Sequence, residues 1–397
     1  MDIMQRKTVI IAAKRSPIGA FQGQFSTLSA SELASNIIKG IFNDFEVLPE
    51  QIDEVILGNV LSAGQGQAPA RQSAIKGGCP TTVESLTINK MCGSGLKSVM
   101  LADQAIKCGD ADIIFAGGME SMSNSPYLLN NARSGQKFGH GKILDSMIHD
   151  GLWDAYTNQH MGNCAELLAK ERCYNRQDQD SFAIDSYKKA INATENDVFS
   201  SEIVPIKVKK KRGEEIIYSI DEEPGRVKFD KIPNLKPAFS NEGTITAANA
   251  SKLNDGAAIL LLTSEEKADE LGLKPLAKIV GHCSAAHDPE WFTTAPGKAI
   301  KKLLDKTNLE KSNIDLWEIN EAFSVVTMAA IDDFDIPTDK VNIYGGAIAL
   351  GHPIGASGAR IITTLLNAMN RTNSKLGLAT LCIGGGEASA MIIEKND

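Results

Sequence analysis

Apolar and polar positions follow two alternating patterns along the chain. Short, nearly continuous apolar runs are typical of buried strands. Six are predicted as strands: Thr8–Ala12, Glu54–Leu57, Ile113–Ala116, Ala277–Val280, Leu316–Ile319 and Leu378–Leu381. Apolar residues at helical spacing predict four helices between them: Ser31–Phe45, Leu96–Lys107, Pro296–Lys306 and Ala359–Met369. This alternation predicts an α/β fold in layers with a mainly parallel sheet.

The same order of landmarks occurs twice. In each copy a strand begins at an Ile-Asp pair and a helix begins 41 or 42 residues later. An apolar strand and a predicted glycine turn with a glutamate then follow. The landmarks are Ile52-Asp53, Ser94–Lys97 and Gly117–Ser121 in the first copy, and Ile314-Asp315, Ser357–Arg360 and Gly385–Ser389 in the second. This order indicates a duplication, so we expect two similar halves related by a pseudo-twofold axis.

The segment 123–243 differs in character from both halves. It is polar and contains the basic run Lys207–Arg212, followed by the acidic Asp221–Glu223. A segment of this length is too long for a plain loop, so we expect it to have its own structure. Runs of like charge usually lie on a solvated face, which predicts a solvated hairpin. The alternative is a basic surface that steers an anionic substrate.

Composition narrows the possible functions. Apolar residues make up 43% and charged residues 23% of the chain, which excludes a disordered protein. The net charge of −8 gives no general basic field for nucleic acid, and no apolar run is as long as a membrane span. Seven scattered cysteines without C-x-x-C spacing indicate free thiols and no zinc site. Because Met1–Arg15 lacks a signal-peptide core, we expect a cytoplasmic protein, or a mitochondrial matrix protein if a transit peptide was removed.

One cysteine lies in a setting that favours catalysis. Cys92 is part of Asn89–Gly95, directly before a predicted helix. The N–H groups of a helix N-terminus lower the pKa of a thiol, and the adjacent glycines leave room for a planar carbonyl. Cys92 is therefore a candidate nucleophile. The alternative is a buried structural cysteine, the more common fate of this residue type.

The second copy carries polar side chains at comparable places. In the glycine-rich run Gly345–Gly358, His352 lies just before the helix, where an imidazole can act as a base for a thiol. Cys382 ends a strand ahead of glycines whose N–H groups can face an oxyanion. Asn320 ends another strand and can orient a water or a histidine. The alternatives are a packing histidine, a buried strand-end cysteine and a turn asparagine.

With these residues the sequence resembles the thiolases over almost its whole length. The shared motifs are Arg15–Gly19, Asn89–Gly95, Gly117–Ser121, His160–Gly162, Gly243–Gly256, Asn320–Phe323, Gly345–Arg360 and Cys382–Gly386. Met161–Glu166 and Ala388–Ile393 are similar to the acetyl-CoA acetyltransferase (acetoacetyl-CoA thiolase) branch. The resemblance implies a five-layer αβαβα fold of two duplicated halves with an inserted loop domain. These units are an N-terminal half (1–122 with 244–272), a loop domain covering coenzyme A (123–243) and a C-terminal half (273–397).

The resemblance also implies a reversible Claisen condensation through an S-acetyl-cysteine intermediate. Cys92 attacks acetyl-CoA while His352 accepts its proton, and Cys382 removes a proton from the methyl group of a second acetyl-CoA. The enolate then attacks the acetyl group and gives acetoacetyl-CoA and CoA. One oxyanion hole is expected from His352 with a water held by Asn320, and the other from the N–H groups of Cys92 and Gly384.

A further set of residues is expected, by resemblance, to contact coenzyme A. They are Leu152, His160, Arg226, Phe239, Ala247, Ser251, Ala322 and Phe323. Acetyl-CoA, acetoacetyl-CoA and CoA are then substrates, so neither a separate cofactor nor a metal is expected. The resemblance favours a homotetramer, a dimer of dimers, and implies no nucleic-acid or membrane partner.

The chain departs from the family pattern at a few positions. Glu387 follows the last glycine turn, and its carboxylate is expected either to raise the pKa of a nearby thiol or to face a subunit contact. Pro224 lies near the place of a tyrosine in the potassium-activated mitochondrial branch. Phe292 matches the pocket aromatic of that branch, but Thr293 replaces its following proline. Potassium activation and acceptance of 2-methyl-branched substrates therefore stay open.

Two alternatives to acetyl-CoA acetyltransferase activity also stay open. The first is a longer-chain degradative 3-ketoacyl-CoA thiolase, which a series of substrates of increasing chain length would reveal. The second is a catalytically silent protein that binds CoA or a lipid. Such a protein would be expected to lack Cys92, His352 or Cys382, and all three are present.

Overall fold

The computed structural model describes residues 6–210 and 213–396. Outside this part of the chain lie Met1–Gln5, which belong to the N-terminal segment used to predict the compartment, Lys211-Arg212 of the basic run, and Asp397. The strands are β1 (Thr8–Arg15), β2 (Gly19–Ala20), β3 (Glu54–Gly58), β4 (Glu84–Ile88), β5 (Ile113–Ser121), β6 (Tyr127–Leu128), β7 (Leu144–Asp145), β8 (Trp153–Asp154), β9 (Gln159–His160), β10 (Ile206–Lys209), β11 (Glu215–Tyr218), β12 (Asn254–Ser264), β13 (Ala277–Ala286), β14 (Leu316–Ile319), β15 (Leu376–Ile383) and β16 (Glu387–Lys395). The helices are α1 (Ala30–Asp44), α2 (Pro69–Gly77), α3 (Ser94–Cys108), α4 (Met161–Glu171), α5 (Arg176–Glu195), α6 (Glu265–Glu270), α7 (Ala295–Thr307), α8 (Ser324–Phe334), α9 (Ala347–Leu350) and α10 (Ser357–Thr372). Each strand and helix predicted from the sequence is present.

The main sheet is mixed, with the strand order β14-β15-β16-β13-β1-β12-β5-β3-β4 and β2 beside β12. A short pairing of Val9-Ile10 with Ala277-Lys278 joins β1 to β13, and the sheet divides there into two halves. Pairing is parallel between β3 and both β4 and β5, and between β14 and β15. It is antiparallel between β1, β12 and β5, and between β13, β16 and β15. The prediction of a mainly parallel sheet is therefore wrong.

Helices separate and cover the two half-sheets, which gives the five layers αβαβα. The helices α3 and α10 lie between the half-sheets and share one apolar core with strands of both. Helices α1 and α2 pack on the outer face of the N-terminal half-sheet, and α7 and α8 on that of the C-terminal one. Along β12, Leu260 and Leu262 face the central core while Ile259 and Leu261 face the outer one, which explains its continuous apolar sequence.

The two halves repeat a hydrogen-bonding arrangement, in agreement with the predicted duplication. Asp53 Oδ2 accepts hydrogen bonds from the N–H groups of Asp112-Ile113 at 2.7 and 2.9 Å. Asp315 Oδ2 accepts from those of Lys375-Leu376 at 2.8 and 2.9 Å. In each half the aspartate that precedes one strand therefore fixes the start of its parallel neighbour.

The predicted correspondence between the two glycine–glutamate segments of the duplication is wrong. Gly117–Ser121 lies inside β5 rather than in a turn, whereas Glu387 begins β16 after the turn that follows β15. When the two halves are aligned on their aspartates, Met119 takes the place of Cys382. The two glutamates are therefore not equivalent.

The segment 123–243 contains the helices α4 and α5 and the hairpin β10–β11, so it has its own structure as predicted. In the hairpin Val208 is buried, while Lys207 and Lys209 are exposed and pair with Glu215. The described part of the basic run is thus a solvated hairpin. The bounds of the three predicted units stay a prediction.

Candidate active site

A cavity of about 320 Å³ is lined by residues of both halves and of the segment 123–243. The predicted catalytic residues at its wall are Cys92, His352, Cys382 and Gly384. The predicted coenzyme A contacts at its wall are Leu152, His160, Phe239, Ala247, Ser251, Ala322 and Phe323. Phe292 lines it too, with residues that the sequence analysis did not single out: Met122, Met147, Ile148, Gly151, Met161, Ala238, Thr246, Ala250, Lys252, Leu253 and Ile354. Six of them lie inside the shared motifs, namely Met161, Thr246, Ala250, Lys252, Leu253 and Ile354. They were not distinguished there because residues that line a cavity and residues that pack in a core have the same sequence pattern.

Two predicted residues do not line this cavity. Arg226 has a half-exposed side chain that pairs with Glu222 at 3.1 Å, so its contact with coenzyme A stays a prediction. Asn320 is fully buried, and its N–H donates to Thr380 of β15 at 3.0 Å. Its side-chain Oδ1 and Nδ2 have no hydrogen-bond partner among the described residues. A buried amide needs such a partner, and Asn320 is therefore suited to hold a water.

Cys92 lies in a tight turn between β4 and α3. Met91 adopts the left-handed region with φ of 47°, an uncommon conformation for a residue with a side chain. Asn89 Oδ1 accepts from the Met91 N–H at 2.9 Å. Ser94 Oγ accepts from the Lys90 N–H at 2.8 Å and donates to the Met91 carbonyl at 2.7 Å. These side chains stabilise the turn that presents Cys92 to the cavity.

The Cys92 thiol is protonated at neutral pH. Burial raises its pKa to about 11, although the N–H groups of Gly384 and of Cys92 itself oppose this shift. Backbone N–H groups thus lower the pKa of Cys92, as the sequence analysis expected, but burial has the larger effect and the net shift is upward. A neutral thiol becomes a nucleophile when a base takes its proton, so the site needs a base beside Cys92.

His352, which lines the same cavity as Cys92, is the candidate for that base. Its Nδ1 lies 2.6 Å from Ser357 Oγ, and the Ser357 hydroxyl donates to the Pro353 carbonyl at 2.9 Å. Because the single hydroxyl proton is used in that bond, Ser357 accepts from Nδ1–H, and the neutral ring leaves a lone pair on Nε2. That Nε2 is buried and has no partner among the described residues. Burial and the charge of Arg360 lower the pKa of His352 to about 3, so the ring is neutral at rest.

The role of Ser357 was not predicted, although the residue was recognised as the start of the helix. The signal in the sequence is its position five residues after His352, in a turn that begins with Pro353. The turn is closed by the N–H groups of Ala356 and Ser357, which donate to the Pro353 carbonyl at 2.9 and 3.0 Å. This geometry brings the hydroxyl back to the imidazole.

Glu120 is a second contact of the His352 loop that was not predicted. Its buried carboxylate accepts from the Gly355 N–H at 2.9 Å, and from the N–H groups of Val60 and Leu61 at 3.1 Å each. Asn59 Nδ2 adds a fourth bond at 2.7 Å. Burial raises the pKa of Glu120 to about 7. Glu120 thus binds the loop before α10 to the N-terminal half.

Cys382 ends β15 at the cavity, directly before a glycine turn. Burial raises its pKa well above the usual range, and the charge of a Cys92 thiolate would raise it further. Both thiols line the same cavity. In the turn, Gly385 and Gly386 have φ of 92° and 84°. A Cβ at Gly386 would also overlap the backbone of the segment 287–289. Glycines are therefore required for the turn that directs the Gly384 N–H towards Cys92.

A row of rings forms another part of the cavity wall. The ring centroids of His160 and Phe239 are 4.7 Å apart, and those of Phe239 and Phe323 are 6.1 Å apart. Phe323 in turn contacts Phe292 at 6.3 Å. Ser251 lies beside this row, since its N–H donates to the Ala322 carbonyl at 2.9 Å. The rings and small residues make an apolar passage suited to a pantetheine chain.

The carboxylate of Glu387 is paired with the Lys90 ammonium. Burial is the main cause of the raised pKa of both Cys92 and Cys382, with Glu120 adding to the shift of Cys92. The expected effect of Glu387 on a thiol pKa is therefore not found, since its charge is compensated by Lys90.

In the described part of the chain, no three His, Cys, Asp or Glu side chains come together as metal ligands would. Within the same residues, every helix is too short or too polar to cross a membrane.

The family comparison matches nearly the whole chain. Residues 8–266 match the model "Thiolase, N-terminal domain", and residues 273–395 match "Thiolase, C-terminal domain". A probable acetyl-CoA acyltransferase of Staphylococcus aureus (strain COL) is 49% identical over 390 residues, which are 98% of this chain and 99% of that protein.

Solved structures have the same fold. The crystal structure of the Bacillus anthracis acetyl-CoA acetyltransferase superposes with a TM-score of 0.96 at 41% identity and covers 99% of both chains. The Acat5 thiolase from Ascaris suum, in complex with coenzyme A, superposes with a TM-score of 0.94 at 42% identity. That match covers 98% of this chain and 100% of the other.

Proposed function

The chain belongs to the thiolase family, and we propose that it is an acetyl-CoA C-acetyltransferase. It would condense two acetyl-CoA into acetoacetyl-CoA and CoA, and catalyse the reverse thiolysis. The observation that carries the proposal is that two thiols and an imidazole Nε2, which has no hydrogen-bond partner within 6–210 and 213–396, line one apolar cavity. The similarity to an acetyl-CoA acetyltransferase of known structure supports the choice of substrate.

The first half of the reaction transfers an acetyl group to Cys92. His352 Nε2 takes the Cys92 proton, and the thiolate attacks the acetyl carbon of acetyl-CoA. The N–H groups of Cys92 and Gly384 donate to the developing oxyanion, the type of stabilisation that contributes about 3 kcal/mol for each donor. The departing CoA thiolate takes its proton from Cys382. This leaves S-acetyl-Cys92, an imidazolium at His352 and a thiolate at Cys382.

The second half of the reaction uses the Cys382 thiolate and the His352 imidazolium. The Cys382 thiolate removes a methyl proton from the second acetyl-CoA, and its high pKa makes it a strong base. The imidazolium Nε2–H and a water on Asn320 donate to the enolate oxygen. The enolate carbon attacks S-acetyl-Cys92, and the expelled Cys92 thiolate recovers its proton from His352. Cys92, His352 and Cys382 thus return to their initial protonation states, and no cofactor besides the thioesters is needed.

The proposal is tested by thiolysis of acetoacetyl-CoA with CoA, followed by loss of the enolate absorbance. The protein should turn over acetoacetyl-CoA, and Cys92→Ala should lower kcat by at least about a thousandfold. Cys108→Ala, which removes an exposed thiol, is the matched control and should leave kcat unchanged. Equal or faster turnover of a longer 3-ketoacyl-CoA would support the degradative thiolase instead. No turnover of either substrate would contradict a thiolase activity.

We further propose a homotetramer in the cytoplasm. The segment 126–145 exposes the apolar side chains of Tyr127, Leu129, Phe138 and Ile143, a group that favours burial against other subunits. The seven cysteines are unpaired, which suits a reducing compartment. Light scattering should give the mass of four chains, and Phe138→Ser should shift the mass towards two. A monomer in both proteins would contradict the tetramer.

A further inference from the structure

An ion pair connects the two loops that form the oxyanion hole of Cys92. The Lys90 ammonium bonds the Glu387 carboxylate. Lys90 precedes Cys92 by two residues, and Glu387 follows Gly384 by three. The side chains are 23% and 36% exposed, so the pair is half-buried at the edge of the site. Lys90 comes from the N-terminal half and Glu387 from the C-terminal half.

The spacing of these loops determines whether the oxyanion hole forms. Its two proposed donors are the N–H groups of Cys92 and Gly384, one on each loop, and both residues line the same cavity. At Gly384 itself a Cβ would meet only the ends of Met161 and Met91, at 3.6 Å or more. Gly386 of the same turn packs against the segment 287–289, so the turn is fixed on that side, and the ion pair is a polar connection from the turn to the Cys92 loop.

Without Lys90, the negative charge of Glu387 would also oppose the reaction. The reaction forms negative charge on Cys92, on Cys382 and on the thioester oxygen, and a lone carboxylate nearby would oppose each of them. Lys90 compensates that charge and fixes the turn at the same time. The two residues are therefore expected to act as a unit.

From this geometry we infer that Lys90 and Glu387 are positioning residues, which set the distance between the Cys92 and Gly384 N–H donors. The inference rests on the proposed thiolase activity. It assigns a use to the glutamate at which this chain departs from the family pattern. Ion pairs that stay in contact with solvent, as this half-buried one does, add little to stability, so the effect is expected in turnover rather than in folding.

The test compares Lys90→Met, Glu387→Gln, their double variant and the exchange Lys90→Glu/Glu387→Lys in thiolysis of acetoacetyl-CoA. Each single variant should lower kcat about tenfold with KM within about twofold, because a displaced donor weakens the transition state more than the ground state. The double variant should be no worse than either single one, and the charge exchange should recover kcat to within about threefold. Lys278→Met, at a half-exposed pair with Glu394 on β13 and β16, is the matched control and should keep kcat.

Unfolding temperatures establish that each variant is folded. Glu387→Asp, which keeps the charge but shortens the reach, serves if Glu387→Gln does not fold, and should show a smaller loss of kcat. The inference would be overturned if the single variants keep a kcat within twofold of that of an active wild type. It would also be overturned if the charge exchange recovers none of the lost kcat. An inactive wild type would instead contradict the proposed function.

Discussion

At the scale of single residues, the proton on His352 is controlled by Ser357. The hydroxyl accepts from Nδ1–H, which leaves Nε2 free to take the proton of Cys92. Ser357→Ala removes that acceptor, so the other tautomer gains population and fewer molecules present a base. We expect kcat of thiolysis to fall about tenfold or more, with little change in KM. The ¹⁵N resonance of Nε2 should move from the position of an unprotonated nitrogen towards that of a protonated one.

Ser357→Thr keeps the hydroxyl and is the matched control for this prediction. It should retain most of the activity and the wild-type ¹⁵N resonance. If Ser357→Ala lowers kcat while the Nε2 resonance stays in place, the serine supports α10 rather than the imidazole.

The reactivity of Cys92 should depend on pH over a wide range. Since burial raises its pKa to about 11, the thiolate fraction rises about tenfold for each pH unit well below that value. We therefore expect the rate of Cys92 alkylation by iodoacetamide, measured by peptide mass, to rise with a slope near one from about pH 7 to pH 9. A plateau below pH 8 would instead indicate a thiol ionised at rest.

The sequence predicted residues that the structure brings to one cavity, but it did not predict their protonation states. Cys92, His352 and Cys382 were predictable because glycine-rich turns before helices and after strands leave a distinctive local pattern. The pKa of Cys92 was not, since its burial depends on residues distant in the sequence that close the cavity. For the same reason Glu120 was unpredictable as a contact of the His352 loop.

At the scale of elements, the crossing of α3 and α10 depends on two glycines. A Cβ at Gly358 would overlap the backbone at Leu96, and one at Gly95 would overlap that at Ala359. Gly358→Ala should therefore destabilise the protein by about 3 kcal/mol, because the helices must separate. Gly225→Ala is the matched control, as a Cβ there meets nothing within 4 Å. Urea unfolding gives the stability of both variants. Equal midpoints for Gly358→Ala and Gly225→Ala would show that the helix crossing tolerates a methyl group.

The six strands and four helices predicted from the sequence are all present, but β12 and β16 inside the main sheet were not predicted, and neither was the pairing of the strands. Apolar runs locate β5 or β15 because these strands are buried on both faces, but such runs do not indicate direction. The tight turn from β15 to β16 imposes antiparallel pairing, and β12 joins its sheet after the segment 123–243. Strand direction thus depends on the path of the chain. The misaligned glutamate landmark has a similar origin, since glycines occur both inside β5 and in the turn after β15.

At the scale of the whole molecule, the site requires the correct placement of three parts of the chain. Cys92 comes from the first half, His352 and Cys382 from the second, and the ring of His160 from the segment 123–243. The two halves bring the turn before α3 and the turn before α10 to the same cavity. In the proposed mechanism one half contributes the nucleophile and the other contributes two proton carriers.

The segment 123–243 is joined to the first half by a buried charge cluster. Arg15 is fully buried; its Nε bonds Glu202 at 2.5 Å, and its two terminal nitrogens bond Asp221 at 2.7 and 2.9 Å. Arg15→Lys offers one compact ammonium in place of this fork, so one buried carboxylate loses its charged partner and keeps only neutral hydrogen-bond donors. We expect the free energy of unfolding to fall by about 3 kcal/mol and amide exchange in β10 and β11 to become faster. Arg172→Lys, at the more exposed pair with Asp333, should change stability by at most about 0.5 kcal/mol. Equal losses in both variants would mean that the buried cluster does not hold the segment in place.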